Sequence, residues 1–310
     1  MIYLNSIGSY LPENEIFNAS NLEKFAVSED FLLNKIGVIS FRKKKVHEET
    51  SDMCVKAFLD LQARAHFYQE DIDCLIVCTQ NPDGYGLPHT SAIVHAKLGL
   101  KQNCAVFDIS LGCSGYVYGL SILKGFMLAN ELNNGVLITA DPYSKILDEN
   151  DKNTAFLFGD AATATLLTRA KQNTWKMGKF LFCNDGRNHQ AIHVNGESKK
   201  FAMNGREVFN FAAKVIPKHI NDVLQKNNLA IEQVDHIILH QGSKFLVNTI
   251  QQKLGIIEEK APFLAKHYGN TVSSSIPMIL KDVDPEYKYI LICGFGVGLS
   301  WGSCILERAQ

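Results

Sequence analysis

Asp108-Ile-Ser-Leu-Gly-Cys113-Ser-Gly-Tyr-Val-Tyr-Gly-Leu120 is the stretch on which the fold turns. An apolar strand runs down into small residues, and a helix is expected to start at or just after Cys113. A thiol placed there faces the unpaired N–H groups and the positive end of the helix dipole. That setting draws a cysteine from its ordinary pKa of about 8.5 toward the ~3.5–7.5 of activated thiols. Gly112 and Gly115 let the backbone turn sharply and admit a reactant close to the sulfur. On the residues alone, Cys113 is either a nucleophile on a strand-to-helix elbow or a structural cysteine.

Outward from this elbow the chain alternates strand and helix. Asp73–Thr79, Val136–Ala140, Ile237–His240 and Tyr289–Cys293 are short apolar runs bounded by polar residues. Each is predicted to be a buried strand. Ser51–Ala65, capped by Thr50 or Ser51, repeats apolar residues at Met53, Ala57 and Leu61 and is predicted helical. Glu207–Gln225 and Leu246–Leu254 are two further helices. Strands that are apolar throughout, separated by helices, imply α/β layers with the sheets covered on both faces. Two segments, Phe156–Leu167 and Ile292–Leu306, each suggest strand, Phe-Gly turn, strand. Each follows a helix that begins in a Gly/Ser-rich stretch, at Gly112–Gly115 and Gly269–Ser275. The chain is therefore expected to be a duplication, with halves at 1–170 and 171–310 and a boundary near Arg169–Asn173.

Composition excludes several classes of protein. The 310 residues are 46% hydrophobic and 20% charged, enough for a large core and too apolar for intrinsic disorder. Lys and Arg number 31 against 32 Asp and Glu, so the basic excess of a nucleic-acid binder is missing. The first residues, MIYLNSIGSYLPENE, lack the charged and apolar blocks of a signal peptide, and a cytoplasmic protein is expected. The long uncharged segment Tyr289–Leu306 is broken by four glycines and is expected in the core, not in a membrane. The eight cysteines fall mostly within apolar runs, as small buried hydrophobes do. Cys74 and Cys78 have no second pair nearby, so no zinc site is expected, and without a secretory signal no disulfide framework is expected either. The basic run Arg42–Lys45 is a solvated turn or a charged surface near a pocket mouth.

Two further junctions carry chemistry. His240 is delivered at the C-terminal end of an apolar strand, where α/β proteins place residues that face ligands. It is equally a core histidine satisfied by a carbonyl. Asn270 follows Gly269 on a turn before a helix, either as a helix cap or as an amide facing a site. Cys113, His240 and Asn270 thus form a set, each on its own strand-to-loop junction.

Eight motifs in order then carry a resemblance along nearly the whole chain. They are Gly8–Pro12 (GSYLP), Asn81–Pro88 (NPDGYGLP), the Cys113 elbow, Phe158–Asp160 (FGD), Met203–Phe209 (MNGREVF), His240-Gln241, Tyr268–Thr271 (YGNT) and Ser300–Ser303 (SWGS). With them the sequence resembles the β-ketoacyl-acyl-carrier-protein synthase III family of thiolase-fold condensing enzymes. The resemblance implies a five-layer αβαβα fold of two pseudo-repeated halves and a homodimer. It also implies that Cys113 takes an acyl group from acyl-CoA. A malonyl thioester, carried by acyl carrier protein or CoA, would then lose CO2 and condense. His240 and Asn270 would hold the developing enolate, and the backbone N–H groups of Cys113 and Val297 would form an oxyanion hole. No metal or redox cofactor is expected, and no nucleic acid or membrane partner.

The same resemblance places the substrate. Phe31 falls where an aromatic ring stacks on adenine, and Lys35 and Lys152 where arginines hold the nucleotide of CoA. Gly205 and Phe209 match the wall of the pantetheine tunnel, with Phe295 beside it in the oxyanion turn. Leu87 sits where a side chain of the partner subunit closes the acyl pocket. Ser243 replaces a usual asparagine. Gly159-Asp-Ala-Ala-Thr-Ala164 has lost two glycines of the common pattern, and Val297 stands where a glycine is expected. These departures imply a specialised member. Two other activities fit the same residues: acyl transfer to an acceptor other than malonyl, and a non-catalytic subunit paired with an active one.

Overall fold

The computed structural model describes residues 1–172 and 174–309; Asn173, at the end of the expected boundary segment, lies outside the described residues, as does Gln310. One large mixed sheet organises the chain. Its strands are β1 (Tyr3–Tyr10), β2 (Cys74–Cys78), β3 (Ala105–Ile109), β4 (Asn134–Ala140), β5 (Ala162–Thr168), β6 (Trp175–Met177), β7 (Leu181–Asn184), β8 (His236–Leu239), β9 (Tyr289–Gly296) and β10 (Ser300–Arg308). They run in the order β8-β9-β10-β6-β1-β5-β4-β2-β3, with β7 also on β10. The two ends of this order repeat each other. In the first half β2 pairs parallel with β4, and β4 antiparallel with β5. In the second half β8 pairs parallel with β9, and β9 antiparallel with β10.

Among the described residues, six helices of six or more residues pack in layers with the sheet: α1 (Thr50–Ala65), α2 (Thr90–Leu98), α3 (Gly115–Ala129), α4 (Gly205–Lys226), α5 (Lys244–Leu254) and α6 (Ser275–Leu280). Helices α1 and α2 pack on the outside of the first half and α4 on the outside of the second, with α5 against α4. Helix α3 touches β2 and β4 on one side and β9 and β10 on the other, while α6 touches β8 and β9 together with β1 and β5. Both therefore lie between the halves, which gives the layer sequence αβαβα.

The period-2 alternation of the strands explains why these runs are apolar throughout. Cys74, Ile76 and Cys78 join the central cluster around α3, while Leu75 and Val77 join the outer one under α1. In the second half Ile238, Ile290 and Ile292 face the centre, and Ile237, Leu239, Leu291 and Cys293 face α4 and α5. Tyr289–Leu306 is the β9–β10 hairpin of this core. Among the described residues no helix is long and apolar enough to cross a membrane. All eight cysteines are free and seven are buried, Cys183 being half-buried.

Two expectations are corrected. The N-cap of α1 is Glu49, whose N–H donates to the Asp52 side chain (2.9 Å), and not Thr50 or Ser51. Phe156–Phe158 is not the first strand of a hairpin: residues 152–157 form turns, and strand structure begins only at Ala162. The reason is distant in sequence. The Asn18 side chain donates to the Phe156 carbonyl (2.9 Å), and Leu157 and Gly159 bond the backbone of Asn270.

Candidate active site

Cys113 lies just before α3, whose N-cap is Ser114. Strand β9 closes over it: a Cβ on Gly296 would stand 2.7 Å from the Cys113 sulfur, and one on Gly294 would stand 2.6 Å from its carbonyl oxygen. Only glycines let the strand approach so closely. The backbone N–H groups of Val297 and of Cys113 itself act against burial and lower the pKa of the thiol. They are the two groups expected to form the oxyanion hole. The left-handed position in this turn falls on Gly298 (φ 135°), so Val297 carries its Cβ without backbone strain. In the same way Ala161, Ala162 and Thr163 avoid positive φ, and Ala162 and Thr163 lie in β5, where no glycine is required.

The expected depression of the thiol pKa is not found. Burial, with the Asp141 carboxylate adding to it, pushes the Cys113 thiol up to about 12, and the two N–H groups offset this only in part. The helix begins two residues later and Cys113 is only 7% exposed, so desolvation outweighs its setting at the helix start. At neutral pH the resting group is a thiol.

His240 follows β8, its N–H donating to the Cys293 carbonyl (2.9 Å). Its Nδ1 is 2.7 Å from Ser275 Oγ at the start of α6, and its ring meets Phe295 edge-on. Burial pulls its pKa down to about 3, so the imidazole is neutral. If Ser275 donates to Nδ1, the proton sits on Nε2. Asn270 is held from three sides. Its N–H donates to the Leu157 carbonyl (2.7 Å), its carbonyl accepts from Gly159 (3.1 Å), and its Oδ1 accepts from Val272 N–H (2.9 Å). With Oδ1 engaged, the side-chain NH2 is left as the free donor.

Cys113, His240 and Asn270 line one cavity of about 410 Å3, together with Phe295 and Val297. The expected substrate residues Phe31, Lys35, Lys152, Gly205, Phe209 and Ser243 line it too. Ser243 also caps α5, its Oγ accepting from Leu246 N–H (3.3 Å). Lys35 stands 3.5 Å from the centroid of Phe245, whose ring stacks on Phe209. Leu87 is 93% exposed and does not line the cavity of its own chain. Of the basic run, Arg42, Lys43 and Lys45 pair with Glu15, Glu149 and Glu13, and none of the four lines this cavity. Arg42 and Lys43 line a second cavity of about 210 Å3 behind Phe158.

The sequence did not single out Tyr143, Phe201 and Phe245 on the cavity wall. Tyr143, Phe158 and Phe201 pack in a triangle with centroids 5.1–5.2 Å apart. Arg206, another lining residue, sits inside the MNGREVF motif between two flagged positions, which was signal enough to find it.

A thiolase fold that brings cysteine, histidine and asparagine to one buried cavity defines an acyl-transferring condensing enzyme. Residues 107–186 match the family model of 3-oxoacyl-[acyl-carrier-protein] synthase III, and residues 224–308 match its C-terminal model. The chain is 33% identical to a β-ketoacyl-[acyl-carrier-protein] synthase III of Campylobacter jejuni, over 98% of this chain and 97% of the relative. It is 31% identical to that of Clostridium acetobutylicum, over 97% and 96%. The crystal structure of the 3-oxoacyl-[acyl-carrier-protein] synthase III of Aquifex aeolicus superposes with a TM-score of 0.91, at 30% identity over 99% of this chain and all of that one. The chain belongs to the β-ketoacyl-[acyl-carrier-protein] synthase III family.

Proposed function

We propose that the enzyme works in two half-reactions on Cys113. In the first, the sulfur attacks the carbonyl of an acyl-CoA, forming a C–S bond, and the CoA thiolate leaves and takes up the proton that Cys113 gives away. The exchange is proton-neutral overall, which suits a nucleophile that rests as a thiol. The N–H groups of Cys113 and Val297 hold the tetrahedral oxyanion. In the second, a malonyl thioester on acyl carrier protein or CoA loses CO2. The electron pair of the broken C–C bond becomes an enolate, whose oxygen accepts from neutral His240 and from the Asn270 amide. The enolate carbon attacks the acyl-Cys113 carbonyl and expels the sulfur as a thiolate, which takes a proton from solvent and returns to the thiol.

One observation carries this assignment: a buried thiol, closely approached by Gly296 of β9, shares a cavity with an imidazole and an amide that are each fixed by hydrogen bonds. At the outer part of the cavity Phe31 supplies a ring for adenine, and Lys35, Lys152 and Arg206 supply charge for phosphates. The working unit is a homodimer in the cytoplasm. The half-exposed edge strand β3 and the exposed Leu87 support such pairing, with Leu87 reaching toward the acyl pocket of a second copy. The decisive experiment is intact-mass spectrometry after incubation with a panel of acyl-CoAs. An acyl adduct is expected on the wild type and not on Cys113→Ala, with malonyl-dependent CO2 release only from the acylated enzyme. Transfer of the acyl group from Cys113 to an alcohol or amine without any malonyl donor would overturn the condensation step.

A further inference from the structure

Asp141 follows β4 and is fully buried, yet it does not line the catalytic cavity. Its Oδ1 accepts from Gln80 N–H (2.7 Å) and sits 3.4 Å from the Thr79 hydroxyl, at the end of β2. Its Oδ2 accepts from the Ser273 hydroxyl (2.6 Å), which belongs to the other half of the chain. Ser273 follows Val272, a β-branched residue in the left-handed region at φ 53°. Such a backbone persists only where its surroundings over-determine it, and it points to a functional constraint.

The surroundings of Val272 are a run of polar bonds. Its N–H fixes the Asn270 Oδ1. Ser273 is held by Asp141, Ser274 by Thr139, whose hydroxyl is 2.8 Å away and whose carbonyl also accepts from Ser274, and Ser275 sits on His240 Nδ1. The strained turn thus orients both expected enolate donors, and the first anchor beyond it is a buried carboxylate from the opposite half.

We propose that Asp141 is a positioning residue: by holding Ser273 it keeps the Val272 turn in the conformation that aims Asn270 and His240 into the cavity of Cys113. This rests on the two half-reactions described above, and it separates them. Acylation needs Cys113 and the two N–H groups, whereas decarboxylation needs the donors that the turn aims. Misplacement of such groups by about 1 Å typically costs on the order of 10²-fold in rate.

The test compares Asp141→Ala, Ser273→Ala and Asp141→Asn with the wild type. Asp141→Ala and Ser273→Ala are expected to form the acyl-Cys113 adduct at close to the wild-type rate. Both are expected to lose on the order of 10²-fold in kcat of condensation, with a smaller change in KM for the malonyl thioester. Asp141→Asn should recover most of the loss, because its Oδ1 can accept from Gln80 and its Nδ2 can donate to Ser273 Oγ. Equal loss in both half-reactions, or none in condensation, would overturn the proposal. If Asp141→Ala does not fold, Ser273→Ala removes the same bond from the other side. The 15N chemical shift of the His240 ring, assigned by its disappearance in His240→Asn, tests the turn without catalysis. It should move in Ser273→Ala and return in Asp141→Asn. A shift that stays at its wild-type value in Ser273→Ala refutes the positioning role even if the wild type proves to have a different activity.

Discussion

In the first half of the sheet, β3 runs into Cys113 and then into the fifteen-residue α3; in the second half, the loop in the matching place bears Asn270 and leads to the six-residue α6. The other strand ends pair off in the same way. β2 ends next to Thr79 and β8 next to His240, while β4 ends next to Asp141 and β9 next to Val297. Three positions are thus offered twice by one topology, and the halves have used them differently. The first half bears the Cys113 thiol and turns its other two positions into a clamp, in which Thr79 and Asp141 lie side by side. The second half supplies the imidazole, the amide and the Val297 N–H proposed for the oxyanion hole. A duplicated frame gives placement, while burial and hydrogen-bond partners decide what each place does.

The largest effect expected from breaking this division is at Cys113. Cys113→Ala should abolish the acyl adduct and all condensation while leaving the fold intact, as circular dichroism would show. Next come the donors of the second half. His240→Ala and Asn270→Ala should each lower condensation by ~10²–10³-fold, the usual cost of one preorganised donor. Both should still acylate Cys113. If either fails to acylate, the halves do not divide the chemistry in this way.

A smaller effect is expected where the two halves touch. Gly296 brings β9 against the sulfur, and a methyl group there would stand 2.7 Å from it. Gly296→Ala should therefore push the thiol away from the Val297 N–H and slow acylation, on the order of 10²-fold. Stopped-flow measurement of CoA release reads this step directly. Acylation at the wild-type rate would mean that the Val297 N–H is not part of the hole.

The frame was far more legible in the sequence than the clamp. Runs such as Cys74–Cys78 and His236–Leu239 announce strands buried on both faces, because each of their residues must meet an apolar layer. Cys113, His240 and Asn270 were legible because each ends such a run or follows a glycine turn, and the ordered motifs tied them together. Asp141 and Ser273 could not be found this way. Their bond joins residues 132 apart, and a polar residue at a strand end reads as loop until its burial is known. The Phe156–Phe158 segment misled for the same reason, since its partners Asn18 and Asn270 are both distant. The resting state of Cys113 is hidden from the sequence too, which shows the helix start but not the depth of burial.

The smallest effect concerns stability and sharpens the contrast between Asp141 and His240, two buried titratable groups shifted in opposite directions. Burial raises the Asp141 carboxyl from its usual 3.8 to about 6 and lowers His240 from 6.5 to about 3. Between pH 6 and 3.8 the folded state holds a proton on Asp141 that the unfolded chain releases. The stability linked to Asp141 is therefore fully present below 3.8 and lost as pH rises through 6. For His240 the linked stability is present above 6.5 and is lost as pH falls toward 3, because the unfolded imidazole takes a proton that the folded one refuses. Asp141→Asn removes the first effect alone. Its melting temperature relative to the wild type should then be most favourable near pH 7.5 and fall steadily as pH drops to 4. The corresponding difference for His240→Asn should run the other way, improving as pH drops. Differential scanning calorimetry at several pH values reads both slopes, and parallel slopes would mean that burial does not disfavour the charged form of both groups.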